Sequence, residues 1–320
     1  MIAPYKYTIP DEICCNGWFI DPGVLVDDDG RVYIYCGFER SFMAEINPDN
    51  MYEVLDGTCI EHIIPVEEPF SLFEACSLRK IDDTYYMIYS QKNGNRLDYA
   101  TSKSPTGPFE YRGTIVDNGA DYPAGNNHGS ICKIKDQWYI FYHRTTNNTI
   151  MSRRACVEKI EILPDGTIPQ VEMTSLGFND SLNPYEITPA DIACVLIGDC
   201  YVAEKNPFTR VIRNITSDNV IGYKYFDFGE DFSSKVMTFS ANIIGRGCIT
   251  SFSIRLDSPD GEEIGVCKIG LDDGIYTTSV KSVTGRHSIY FVVEENGEGW
   301  TRESFKLRDQ FEISEFVFMK

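Results

Sequence analysis

DPGVLVDDDGRVYIY from Asp21 to Tyr35, EACSLRKIDDTYYMIY from Glu74 to Tyr89 and HGSICKIKDQWYIFY from His128 to Tyr142 are three versions of one phrase. Each opens on a polar residue that exchanges protons, runs through an apolar stretch and a turn containing Asp, and closes on an aromatic strand. The openings stand 53 and 54 residues apart, a period that marks a propeller or a solenoid. Two short strands around a tight turn make half of a four-stranded propeller blade. Asp29-Gly30 is a good hairpin turn, whereas Asp82-Asp83 and Lys135-Asp136 are weaker ones. Blades set their innermost strands around one axis, so the residues that open successive phrases converge there. Those residues are Asp21, Glu74 and His128.

The rest of residues 18–172 keeps the same rhythm. Gly57, Pro65, Pro69, Pro105, Gly107-Pro108 and Gly119 interrupt short strands, and no window carries a helical period. Residues 176–190 are polar, with two prolines, and read as a linker lying along the first domain. Beyond residue 190 the phrase is gone, while period-2 alternation continues in KVMTFSANI, TSFSIRLDS and FEISEFVFM. The expected architecture is therefore all-β: residues 1–175 as a partial β-propeller of about three blades, and residues 191–320 as a β-sandwich with its own core.

The composition excludes several classes of partner. A net charge of −19 repels phosphate backbones, so nucleic acid is not expected. No apolar run reaches the length of a membrane span. Aromatic residues make up 13% of the chain, which suits stacked sheets and also the binding of sugars, whose C–H faces pack on aromatic rings. The eleven cysteines show no CxxC pair and no zinc spacing, and the first twenty residues lack the pattern of a signal peptide. Together these point to a reducing, cytoplasmic setting.

Longer stretches around the three phrases, FIDPGVLVDDDGRVYIYCG, FEACSLRKIDDTYYMIYS, NNHGSICKIKDQWYIFYH and then RRACVEKIEILPDGTI, resemble glycoside hydrolase family 43 over residues 18 to about 175. That resemblance implies a five-bladed propeller that hydrolyses α-L-arabinofuranosyl or β-D-xylosyl linkages of plant cell-wall polysaccharide with inversion. It implies that Glu74 is the general acid, although Glu74-Ala75-Cys76 replaces the family's Glu-Gly-Pro. It implies that Asp21 tunes the pKa of the acid; from the residues alone, Asp21 could equally be the base. His128 resembles the family's axial histidine, often near calcium, so a structural Ca2+ is expected near His128 or in the sandwich. Arg153 resembles the arginine that reaches the sugar, and Phe73, beside Glu74, is a further candidate for substrate contact. In the family the base and two blades precede the tuning Asp, whereas here twenty residues do. The ring is therefore expected to be open, with self-association through its free edge, and the isolated chain is expected to be nearly inactive. VTGRHSIYFVV and FEISEFVF resemble family 6 carbohydrate-binding modules. The competing readings are a carbohydrate-binding protein without turnover and an interaction scaffold with a vestigial site. Trp18 and Trp300 are candidate stacking platforms, better explained as core residues, and Asp27-Asp28-Asp29 reads as a solvated turn.

Overall fold

The computed structural model describes residues 20–119, 127–147, 149, 151–230, 236–294 and 308–320. The chain divides into two compact units, Met1–Glu172 and Met173–Lys320. No helix among the described residues is long and apolar enough to cross a membrane.

The described residues of the first unit form three antiparallel sheets, each begun by one copy of the phrase. Strands β1 (Gly23–Val26), β2 (Val32–Cys36), β3 (Phe42–Ile46) and β4 (Ile60–Glu61) form the first. Strands β5 (Leu72–Ile81), β6 (Thr84–Gln91), β7 (Arg96–Ser102) and β8 (Glu110–Asp117) form the second. Strands β9 (Ser130–Ile134), β10 (Gln137–Thr145) and β11 (Arg153–Ile160) form the third. Neighbouring strands are neighbours in sequence, the meander of a propeller blade.

The turns reverse the expected ranking. Ile81 pairs with Thr84 and Ile134 with Gln137, so Asp82-Asp83 and Lys135-Asp136 close two-residue hairpins, with Asp82 at φ 51 and Lys135 at φ 54. Between β1 and β2 the loop runs from Asp27 to Arg31. Its extra length tucks Asp27 inward, and the solvated-turn reading fails there. Asp27 is 7% exposed; it accepts hydrogen bonds from Lys80 Nζ at 2.8 Å and Tyr85 Oη at 2.6 Å. This buried carboxylate clips the first blade to the second.

Period-2 alternation builds the contact between those blades. Leu25, Tyr33, Tyr35 and Met43 from the first pack against Leu72, Leu78, Met87 and Tyr89 from the second. Near the axis the approach is closer still. A Cβ on Gly23 would lie 2.2 Å from the Cys76 carbonyl oxygen, so only glycine lets β1 and β5 meet there. On the opposite face of β1, Val24 and Val26 are exposed.

The second unit is a β-sandwich. One sheet runs β14 (Tyr201–Asn206), β15 (Thr209–Ile215), β22 (Phe311–Met319), β17 (Met237–Gly245), β20 (Gly274–Val280), with β12 (Thr188–Pro189) added on β22. The other runs β13 (Val195–Ile197), β16 (Val220–Asp227), β21 (Arg286–Val293), β18 (Thr250–Leu256), β19 (Glu263–Ile269). Phenylalanines from both sheets meet between them, with Phe239 edge-on to Phe291 at 5.4 Å and to Phe252 at 6.0 Å.

Residues 176–190, expected to be a linker, fall within the second unit. Ser175 N–H donates to the Lys224 carbonyl, Leu182 N–H to that of Tyr225, and Phe318 N–H to that of Pro184. Thr188 pairs with Phe316. The segment's backbone groups are satisfied by the sandwich, which makes it part of the second unit despite its polar, proline-containing sequence.

Candidate active site

Glu74 lies in β5 where the strand is irregular. Its pairing with β6 shifts register on both sides of Glu74, which itself pairs with Ser90, and Ala75 follows at φ 62. A bulge of this kind re-aims a side chain and is common beside active sites. Ala75 stands where the family phrase has glycine, the residue that enters this backbone region without strain. Asp21 sits two residues before β1, at φ 54. His128 sits two residues before β9. A Cβ on its neighbour Gly129 would lie 2.2 Å from Leu97 Cδ1, which holds the approach to β9 against the second blade.

The three openings of the phrase converge as the period requires. His128 Nε2 lies 3.0 Å from Glu74 Oε1 and 3.6 Å from Asp21 Oδ2. One donor atom from each of the three residues lies within 4.8 Å of the others. Glu74 is buried, while Asp21 and His128 are each about one third open to solvent. Burial pushes the Asp21 carboxyl above the ordinary carboxylate range, against the pull of His128; the negative charge of Glu74 pushes it further, and Arg153 opposes it.

The other expected residues lie around this cluster. Arg153 opens β11 opposite Thr145 and acts electrostatically on Asp21. Phe73 is half-buried and packs edge-on to Phe38, with ring centroids 4.8 Å apart. Trp18 and Trp300 lie outside the described residues. Sequence reasoning missed His143, whose Nδ1 accepts the His128 backbone N–H at 3.4 Å, with the two rings 5.8 Å apart. The signal was present: His143 directly follows His128's own phrase, in β10, so the second strand of the hairpin returns it to the same end of the blade.

The cluster offers two carboxylates and one ring nitrogen. Calcium takes six to eight oxygen ligands, so around His128 water would have to fill most of its shell. The described part of the sandwich holds no comparable group of acidic, histidine or cysteine donors.

Residues 3–168 match the family described as glycosyl hydrolases family 43, and residues 199–318 match the carbohydrate binding module of family 6. The chain is 36% identical over 340 residues to a xylosidase/arabinosidase of Thermoclostridium stercorarium, covering 90% of this chain and 69% of that protein. It is 29% identical over 318 residues to an arabinoxylan arabinofuranohydrolase of Paenibacillus polymyxa, covering 88% and 49%. Among solved structures it is similar to a family 43 arabinoxylan arabinofuranohydrolase from Bacillus subtilis in complex with cellotetraose. There the TM-score is 0.54 at 26% identity, covering 95% of this chain and 67% of that one. The chain thus spans between about half and just over two thirds of the length of these relatives.

Proposed function

The chain belongs to glycosyl hydrolase family 43, and on that premise we propose that its first unit carries the acid half of an inverting site for α-L-arabinofuranosyl or β-D-xylosyl linkages. Glu74 is the general acid, protonating the oxygen of the leaving group. Asp21 is its tuner, a second carboxylate that His128 holds beside it. Arg153 and Phe73 bind the sugar, one by charge-assisted hydrogen bonds and the other by its apolar ring.

The observation that carries this reading is the closeness of the cluster. An inverting acid and base stand about 6.5–9.5 Å apart so that water fits between them. Asp21 and Glu74 are nearer than that, and His128 occupies the space beside them. Asp21 is therefore the wrong partner for inversion. Inversion then requires a further carboxylate as the base.

Hydrolysis of nitrophenyl α-L-arabinofuranoside and β-D-xyloside tests this. The expected result is little turnover by the 320-residue chain alone, with weak pentose or oligosaccharide binding retained. Ordinary enzyme rates, lost in Asp21→Asn, would make Asp21 the base and overturn its role as tuner. A second reading, sugar binding without turnover, is favoured by the family 6 match over residues 199–318. Hydrolysis that survives in Asp21→Asn but disappears in Glu74→Gln excludes it.

A further inference from the structure

The bulge at Glu74 leaves β5 poorly held by β6 on either side of the acid. Its support comes from the opposite edge. The loop between β2 and β3, Gly37-Phe38-Glu39-Arg40, runs alongside it. Phe38 forms an antiparallel bridge with Glu74, and Glu39 N–H donates to the Phe73 carbonyl at 2.6 Å. The Phe38 ring stands edge-on to Phe73 at 66°. At its other end the same loop reaches the second carboxylate, since Gly37 N–H donates to the carbonyl of Ile20, the residue before Asp21.

The loop is itself rigidly anchored. Gly37 adopts φ 128, and a Cβ there would lie 1.9 Å from the Arg40 carbonyl oxygen. Arg40 pairs with Glu61 and lies over the Phe42 ring at 5.6 Å. Ser41 Oγ donates to the Ile64 carbonyl at 2.7 Å and accepts from the Ile64 N–H at 2.8 Å. One anchored loop thus holds the backbone on which both carboxylates sit, and the Phe38 ring adds a side-chain contact to the acid's own strand.

We propose that Phe38 is a positioning residue: by bridging Glu74 and packing on Phe73 it splints the bulge that aims the Glu74 carboxyl at His128 and Asp21. The proposal rests on the reading of that cluster as the active site. Without the ring, β5 relaxes toward regular pairing and Glu74 swings away from His128.

The test is nitrogen-15 NMR of the imidazoles in the whole chain, which has four histidines. In the wild type, His128 should show a slowly exchanging ring signal from its hydrogen bond to Glu74. Phe38→Leu keeps the apolar volume, and Phe38→Ala removes it. Both should lose that signal, while His62 and His287 stay unchanged as evidence of an intact fold. Phe38→Tyr keeps the ring edge and should restore it. If Phe38→Ala does not fold, Phe38→Leu decides. An unchanged His128 signal in Phe38→Leu overturns the proposal, as does its absence from the wild type or its loss in Phe38→Tyr. Ordinary hydrolysis rates in the wild-type chain, lost in Asp21→Asn, would count against the proposed function alone, because the NMR signal reports geometry and not turnover.

Discussion

Glu74 in the first unit and Glu312 in the second are both nearly inaccessible, at 4% and 1% exposed, yet they are held in opposite ways. Glu312 opens β22 between two guanidinium groups. Arg213 Nε lies 2.6 Å from its Oε1, and Arg246 pairs with the same oxygen. Its charge is matched from both sides and stays where it is. Glu74 faces a histidine and another carboxylate, neither of which fixes its charge. Burial alone does not mark a site. A buried acid surrounded by permanent positive charge is a structural tie, whereas a buried acid facing groups that can themselves change protonation state can pass on a proton.

Exchanging each glutamate for its amide breaks the comparison most directly. In the assembly that supplies the base, Glu74→Gln should lower hydrolysis by about 10²–10⁴-fold, because the leaving group loses its proton donor. Stability should change little, because the amide keeps the size of the side chain and a polar atom facing His128. Steady-state kinetics together with a thermal melt report both. Glu312→Gln should do the reverse. It takes a shared carboxylate from two arginines, of which Arg246 keeps Asp309, at a loss of about 2–3 kcal/mol, below the usual cost of breaking a fully buried pair because both arginines are about one third open to water. A shifted denaturant midpoint with unchanged slope is the expected reading, and activity in the first unit should be untouched.

A smaller effect sharpens the contrast in backbone strain. Ala75→Gly relieves an L residue at φ 62 and restores the family's glycine. A gain of about 0.5–1 kcal/mol is expected, after the greater chain entropy of glycine is set against it. Loss of stability would show that the Ala75 side chain contributes more to packing than its backbone conformation costs.

The smallest effects are in pH dependence, where two aspartates of the first unit oppose each other. Burial and Glu74 raise the pKa of Asp21, so the folded state binds its proton more tightly than the unfolded chain does. The stability this contributes is present below the unfolded value of 3.8 and is lost as pH rises through the raised folded value. Asp27 is also penalised by burial, but the hydrogen bonds from Lys80 and Tyr85 outweigh it and lower its pKa. Its contribution is present above 3.8 and is lost as pH falls. Denaturation midpoints measured across the acid range should therefore fall less steeply with rising pH in Asp21→Asn, and less steeply with falling pH in Asp27→Asn.

Much of this was legible in the sequence. The triple phrase placed Asp21, Glu74 and His128 at equivalent points of three blades, because alternation and turn chemistry are properties of the local chain. The sandwich was legible for the same reason. The partner of Asp27 was not, since Lys80 and Tyr85 lie on another blade, 53 and 58 residues away. The polar segment 176–190 looked like a linker because its composition is that of a loop; its backbone bonds to the sandwich leave no trace in composition.

The sequence by itself determined the all-β architecture, the period of the blades and which residues meet at the axis. Only the tertiary structure decided how closely Asp21 approaches Glu74. That distance is set by the packing of Gly23 against Cys76, by the bulge at Glu74 and by the Gly37–Arg40 loop that joins the two carboxylates' backbones. A repeat specifies equivalence between blades. The ångströms between them come from side chains far apart in the chain, which no local pattern records.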